Sequence, residues 1–138
     1  MARVRGSSPW LDRACCVTIG DVPVTVVIVD DHAAFRVSAR TLLELEGFMV
    51  VGEAADGEAG VELANQLQPE LVLLDVALPD ASGFEVAERL AGGRSKVILT
   101  SSRDRGDLER RVRRSGALGF IPKDDLTGPA LHELLDGA

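Results

Sequence analysis

At 138 residues, 46% of them hydrophobic, the chain has the length and apolar content of one domain with its own core. A formal net charge of -7 argues against a nucleic-acid-binding surface spread over the whole molecule, though not against a local basic patch, and suits the holding of a divalent cation. The two cysteines, Cys15 and Cys16, are adjacent, which is neither a disulfide framework nor a metal-ligand spacing, so the expected compartment is reducing and cytoplasmic.

Residues 1–21 carry Arg3, Arg5 and Arg13, and their apolar part is broken by Asp12 and Arg13. It is too short for a signal peptide or a membrane span. With no clear period, it reads as a leader: a disordered segment, a cloning remnant or an extension from an upstream start. Trp10 and the cysteine pair could still dock on the domain that follows, residues 22–138.

That domain opens on a β-branched run from Val22 to Val29, a predicted central strand with Pro23 near its start. Asp30 and Asp31 end it. His32 to Glu46 places Phe35, Leu42, Leu43 and Leu45 at roughly helical spacing and stops at Gly47. Phe48 to Ala54 reads as a second strand, Asp56-Gly57 as a turn, and Glu58 to Leu67 as a helix with Leu63, Ala64 and Leu67 on one face. Pro69 closes it.

Leu71 to Leu74 is a short apolar strand that delivers a single carboxylate, Asp75, just before a breaker region containing Pro79 and Gly83. Ser82 caps a predicted helix over Gly83 to Leu90, which Gly92-Gly93 ends, and Lys96 to Thr100 is a fourth strand. Arg103 to Ser115 reads as an arginine-rich helix, with Arg103, Arg105, Arg110, Arg111, Arg113 and Arg114 against few apolar anchors, Leu108 and Val112. That helix is either a solvated face, with Asp104, Asp107 and Glu109 as counter-charges, or an output surface for an acidic partner or nucleic acid. Ala117 to Ile121 is a fifth strand, followed by Pro122-Lys123 and a last helix over Thr127 to Leu135.

Alternating strands and helices imply an α/β fold, a doubly wound five-stranded parallel sheet with five helices on both faces, because each parallel crossover needs a helix. In such sheets ligands sit beyond the C-terminal strand ends, and four of those ends carry Asp30/Asp31, Asp75, Thr100 and Lys123. Crowded carboxylates repel, so a hard dication with oxygen ligands is their natural partner, and Mg²⁺ suits such a site. With the metal, one Asp can act as a nucleophile toward a phosphoryl group whose oxygens the Lys, the Thr hydroxyl and the cation stabilise.

Four motifs lie in this order: Val29-Asp30-Asp31, Leu74-Asp75-Val76-Ala77-Leu78-Pro79 with Gly83, Leu99-Thr100-Ser101, and Gly119-Phe120-Ile121-Pro122-Lys123. Together they resemble the response-regulator receiver domains of two-component signalling, over about Val24 to Leu135. The resemblance implies the strand order 2-1-3-4-5, Asp75 as phospho-acceptor, and a Mg²⁺ site of Asp31, Asp75 and the backbone carbonyl of Ala77 as direct ligands with Asp30 holding metal-bound water, Mn²⁺ being a substitute. It further implies Thr100 as the switch hydroxyl, Lys123 as the cation for acceptor and phosphate, and Phe120 as an aromatic switch. The implied donor is a sensor histidine kinase or phosphotransfer protein, and the implied output face is the fourth helix, fifth strand and fifth helix. A downstream protein, no direct nucleic-acid or membrane binding, and a monomer or weak phosphorylation-dependent dimer complete the expectation.

Some positions depart from the family's commonest pattern. Asp124 follows Lys123 where proline is usual, so a cis bond there would cost ~3 kcal/mol. Ala77 and Ser102 occupy the two positions that tune phosphoryl lifetime, and both are small. The stretch between Val76 and Lys96 is short, which implies a short third helix or a tightened approach to strand four.

Competing readings exist for each feature. Asp30 or Asp31 alone could cap the helix near Ala33, His32 reads as a helix-entry residue or part of a kinase-docking surface, and Lys123 alone reads as a solvated lysine. Ser101, Ser102, His32 and His132 have no spacing resembling a catalytic triad. An Mg²⁺-dependent aspartyl-phosphate hydrolase lacks an acid/base Asp two residues after Asp75, where Ala77 stands, and a nucleotide-binding module lacks a glycine-rich loop after strand one. The expectation is therefore a signalling switch without an output domain in this chain, the alternative being the receiver fragment of a longer DNA-binding transcriptional regulator.

Overall fold

The computed structural model describes residues 18–19, 22–102 and 108–136. Five strands form one parallel sheet: β1 (Thr25–Val29), β2 (Met49–Ala54), β3 (Leu71–Asp75), β4 (Lys96–Ser101) and β5 (Gly119–Pro122). Their spatial order is β2-β1-β3-β4-β5, the order the resemblance implies. The helices between and after them are α1 (Ala33–Leu45), α2 (Gly57–Leu67), α3 (Gly83–Leu90), α4 (Leu108–Ser115) and α5 (Gly128–Asp136).

The pleat assigns the core to two layers. Val27, Val29, Val72, Leu74, Val97 and Leu99 face α2, α3 and α4, where they meet Val61, Ala64, Phe84, Val86, Leu90 and Val112. Their alternates, Val26, Ile28, Leu71, Leu73 and Ile98, face α1 and α5 and pack on Ala39, Leu43 and Leu131. Strands buried on both faces explain why β1, β3 and β4 read as unbroken apolar runs.

Several expected boundaries move, each for a local reason. The first sheet strand starts at Thr25 rather than Val22, because Pro23 has no N–H for a central ladder; Val22–Pro23 instead pair antiparallel with Thr18–Ile19. Thr18–Ile19 lie within the expected leader, whose residues 1–17 fall outside the described residues. The fifth strand starts at Gly119 rather than Ala117, since Gly116 turns at φ +83° and Ala117 N–H donates to the Ser115 hydroxyl at 3.2 Å. Leu45 does not join the core and is 80% exposed: the buried stripe runs Ala39 to Leu43 at a spacing of four, which leaves a residue two further on the opposite side.

The third helix matches its expected limits and is short, eight residues, with Ser82 and Glu85 forming a reciprocal capping box. Residues 103–107, expected to open the arginine-rich helix, lie outside the described residues, as does the Leu108 side chain; Val112 is the buried apolar anchor of the described turns.

Candidate functional site

The C-terminal ends of β1, β3, β4 and β5 bring Asp30, Asp75, Thr100 and Lys123 together at one edge of the sheet. Asp75 and Thr100 are register partners on neighbouring strands, and Val76 N–H donates to the Thr100 carbonyl at 2.9 Å. Asp30 and Thr100 are fully buried and Asp75 is 3% exposed, whereas Asp31 lies at the surface. Lys123 enters from the turn after β5, with its Nζ 2.7 Å from Asp30 Oδ2 and 3.7 Å from Asp75 Oδ2. The peptide after Lys123 is trans, there being no cis bond among the described residues, and Lys123–Asp125 form a single 3₁₀ turn.

Electrostatics at this edge are strained in one direction. Burial first, then the neighbouring Asp30 charge, push the Asp75 carboxyl above the ordinary carboxylate range, against the opposing pull of Lys123 and the Ala77 N–H. That N–H lies 3.4 Å from Asp75 Oδ1, a long contact. One lysine therefore serves two buried carboxylates, and a further positive charge would relieve the excess.

Two buried polar atoms among the described residues lack a hydrogen bond of good geometry: Thr100 Oγ1 and Asp30 Oδ2. Asp30 Oδ2 has the Lys123 charge beside it, but the Thr100 hydroxyl has nothing. An unpaired buried hydroxyl costs ~1–3 kcal/mol, so its retention beside a carboxylate cluster indicates a group that arrives. The potential ligand atoms of Asp30, Asp31, His32 and Asp75 lie within 4.8 Å of one another. Asp30, Asp31 and Asp75 supply carboxylate oxygens with one exposed side, which suits a hard dication that keeps water ligands, so these three residues fit Mg²⁺.

The capping alternative for the acids is not what the fold uses. Helix α1 begins after His32 with no side-chain cap. Asp30 Oδ1 instead accepts from the His32 main-chain N–H at 2.8 Å, and the His32 ring Nδ1 lies 3.1 Å from Asp30 and 3.2 Å from Asp31. His32 is thus the helix-entry residue, exposed, with its imidazole over the acid pair.

Sequence reading missed three supporting groups, Arg36, Phe35 and Asp80, and named Gly83 without its packing role. Arg36 Nη1 donates to the Asp30 carbonyl at 2.5 Å and its Nε to Glu53 at 3.1 Å, tying the end of β1 to α1 and β2. The Phe35 ring lies 4.5 Å from Lys123 Nζ. Asp80, in the loop after β3, accepts from Gly57 and Glu58 N–H groups at 2.8 and 3.0 Å and so covers the start of α2, where Asp56 caps Ala59 N–H. Gly83 packs so closely that a Cβ there would strike the Asp75 carbonyl. A basic residue one turn into a helix after an acid pair was the available signal for Arg36; the roles of Phe35 and Asp80 depend on tertiary proximity.

The other expected site residues fall nearby. Phe120 is half-buried on β5 opposite Leu99, packed against the α3 and α4 layer. Ala77 forms an isolated bridge with Ser82, and Ser102 is exposed just past β4. On α4, Arg110, Arg113 and Arg114 are exposed, while the Arg111 guanidinium sits 4.3 Å above the Phe84 ring.

With this geometry in place, comparison with known proteins is decisive. The family model described as "Response regulator receiver domain" matches residues 26–135. This chain belongs to the response-regulator receiver family. It is 36% identical to the nitrate/nitrite response regulator protein NarL of Escherichia coli, over 83% of this chain and 56% of that protein. It is 36% identical to the transcriptional regulatory protein PdtaR of Mycobacterium tuberculosis, over 74% of this chain and 50% of that one. Among solved structures, the signal receiver domain of Mycobacterium tuberculosis NarL superposes with a TM-score of 0.76 at 35% identity, covering 83% of this chain and 95% of that one. The chain spans about half the length of the curated relatives it matches. It is a receiver of a two-component system, a regulatory module of signal transduction, and none of its described helices is long and apolar enough to cross a membrane.

Proposed function

We infer that this receiver is a phosphorylation-dependent switch in which Asp75 accepts one phosphoryl group from a phosphohistidine of a sensor kinase or phosphotransfer protein. The observation that carries it is the Thr100 hydroxyl, fully buried, unpartnered and next to Asp75 in register. In the transfer an Asp75 carboxylate oxygen attacks phosphorus, the O–P bond forms as the N–P bond breaks, and imidazole leaves with the electron pair. Lys123 stands ready to neutralise a phosphoryl oxygen. Asp30, Asp31, Asp75 and the Ala77 carbonyl would hold Mg²⁺, which supplies charge neutralisation at the phosphoryl oxygens.

Once an anionic group stands on Asp75, the unpaired Thr100 hydroxyl gains its acceptor. The half-buried Phe120 then follows the altered packing, and the α4, β5 and α5 face becomes the output surface toward a downstream partner. Support for a regulatory role rather than turnover comes from Ala77, which puts a methyl where a hydrolase would need an acid/base carboxylate. Exposure of Ser102 is consistent with water reaching the phosphoryl group.

Intact mass after incubation with acetyl phosphate tests this. With Mg²⁺ the protein gains the mass of one phosphoryl group; with EDTA, or in Asp75→Asn, it gains none. Uptake unaffected by Asp75→Asn would refute the assignment. A second reading, favoured by a relative named as a transcriptional regulatory protein and about twice the matched length, is that the receiver serves a DNA-binding output. Sequencing the natural reading frame past codon 138 checks it: a helix-turn-helix segment supports it, and a stop codon there removes it.

A further inference from the structure

We propose that Phe35 is a positioning residue for Lys123, its ring face acting with Asp30 to hold the ammonium beside the acceptor. The inference rests on the reading of Asp75 as phospho-acceptor and goes beyond it. Lys123 Nζ has three neighbours: Asp30 Oδ2 at 2.7 Å, Asp75 Oδ2 at 3.7 Å and the Phe35 ring centre at 4.5 Å. Its side chain is only 12% exposed, so water contributes little and the ring quadrupole acts on a largely desolvated cation.

The arrangement has a chemical use. A carboxylate offers about four acceptor sites, so a lysine paired with one oxygen leaves the other free to attack phosphorus. At 3.7 Å from Oδ2 the ammonium is ion-paired with the acceptor and in place for an incoming phosphoryl oxygen. An ammonium carries three donors on a flexible stem and needs partners to fix it. Asp30 supplies one. A second carboxylate in place of the ring would over-neutralise the lysine and add to the crowding of acids, whereas an aromatic face attracts the cation without accepting a full hydrogen bond.

The local sequence makes the ring's place secure. Phe35 lies in the first turn of α1, three residues after His32, and the next residue, Arg36, bonds both the Asp30 carbonyl and Glu53. The start of α1 is therefore pinned to the same strand end that carries Asp30. Ring and acid are thereby fixed to the same strand end.

The test compares the wild-type protein with Phe35→Leu and Phe35→Tyr. In the metal-free, unphosphorylated wild type, the Lys123 Hε protons should show an upfield ring-current shift, kept in Phe35→Tyr and lost in Phe35→Leu. With acetyl phosphate and saturating Mg²⁺, Phe35→Leu should slow phosphorylation roughly fivefold to thirtyfold, the range from an exposed to a desolvated cation–π contact, and Phe35→Tyr should stay within about twofold. Should Phe35→Leu not fold, Phe35→Met makes the same comparison. A wild-type Lys123 without a ring-current shift, or a folded Phe35→Leu that phosphorylates at the wild-type rate, overturns the proposal. Wild-type protein that takes up no phosphoryl group overturns the acceptor reading with it, which separates the two failures.

Discussion

Asp75 and Asp80 lie five residues apart, and their surroundings push them in opposite directions. Burial and the Asp30 charge raise Asp75, so the folded state binds a proton there more tightly than the unfolded state does. The resulting destabilisation is present above the folded pKa and is relieved as pH falls through it. Asp75→Asn removes it: its unfolding midpoint should exceed that of the wild type at pH 7, with the gap narrowing as pH falls into the carboxylate range. Thermal melts across pH check this. Asp80 is held below the ordinary range by the Gly57 and Glu58 N–H groups, so its stabilisation is present above the ordinary carboxylate pKa and lost as pH falls through the depressed folded value. Asp80→Ala should lower the midpoint at pH 7, and the two melting curves should converge in acid.

Of these residues Asp75 was legible in the sequence and Asp80 was not. A carboxylate ending an apolar strand announces itself, because burial needs compensation. An Asp in a Pro-Asp loop has an ordinary local use, and its bonds to Gly57 and Glu58 cross more than twenty positions of chain. Phe35 was read only as a helix-face hydrophobe for the same reason: nothing local tells that Lys123 will come to lie over its ring.

At the scale of elements, strands β3 and β4 and helix α3 were read almost residue for residue, since an apolar run and a capping box are local signals. Errors arose where a tertiary demand overrode the pattern. Val22 and Pro23 have strand propensity but cannot supply the central ladder, and Leu45 fits an apolar count while lying off the stripe through Ala39 and Leu43. The connection from β3 to α3 shows how closely an element can be fitted to a site. Gly83 N–H donates to the Val76 carbonyl at 2.7 Å, and a Cβ at 83 would meet the Asp75 and Val76 main chain. Gly83→Ala should therefore cost about 1–3 kcal/mol, as overpacking of a close backbone approach does, and should weaken phosphorylation as well. Denaturant unfolding and the acetyl phosphate assay measure both effects. By contrast, Gly92→Ala meets no neighbouring atom and should leave phosphorylation unchanged, although its φ of +86° carries local strain.

For the whole molecule, a net charge of -7 and a cluster of acids served by one lysine make cation binding a stabilising event. At a Mg²⁺ concentration ten times its Kd the folded state should gain about 1.4 kcal/mol, and Asp75→Asn should gain less at the same concentration. A differential melt with Mg²⁺ against EDTA reads this directly. The two-layer core explains why fold class was accessible early: strands covered on both faces need helices on both sides, and their ends then fall on one edge. Partners were not accessible in the same way, because α4 presents its arginines to solvent and an exposed charge row carries no record of what it meets.

The central claim is that the carboxylate at the end of β3, and no other, receives the phosphoryl group. Borohydride reduction of the acetyl phosphate-treated protein, followed by peptide sequencing, converts an aspartyl phosphate to homoserine and so reads its position. Homoserine at position 75, dependent on Mg²⁺, is the expected result. Homoserine at position 30 or 31, or a phosphate that survives reduction on a serine or threonine, would contradict it.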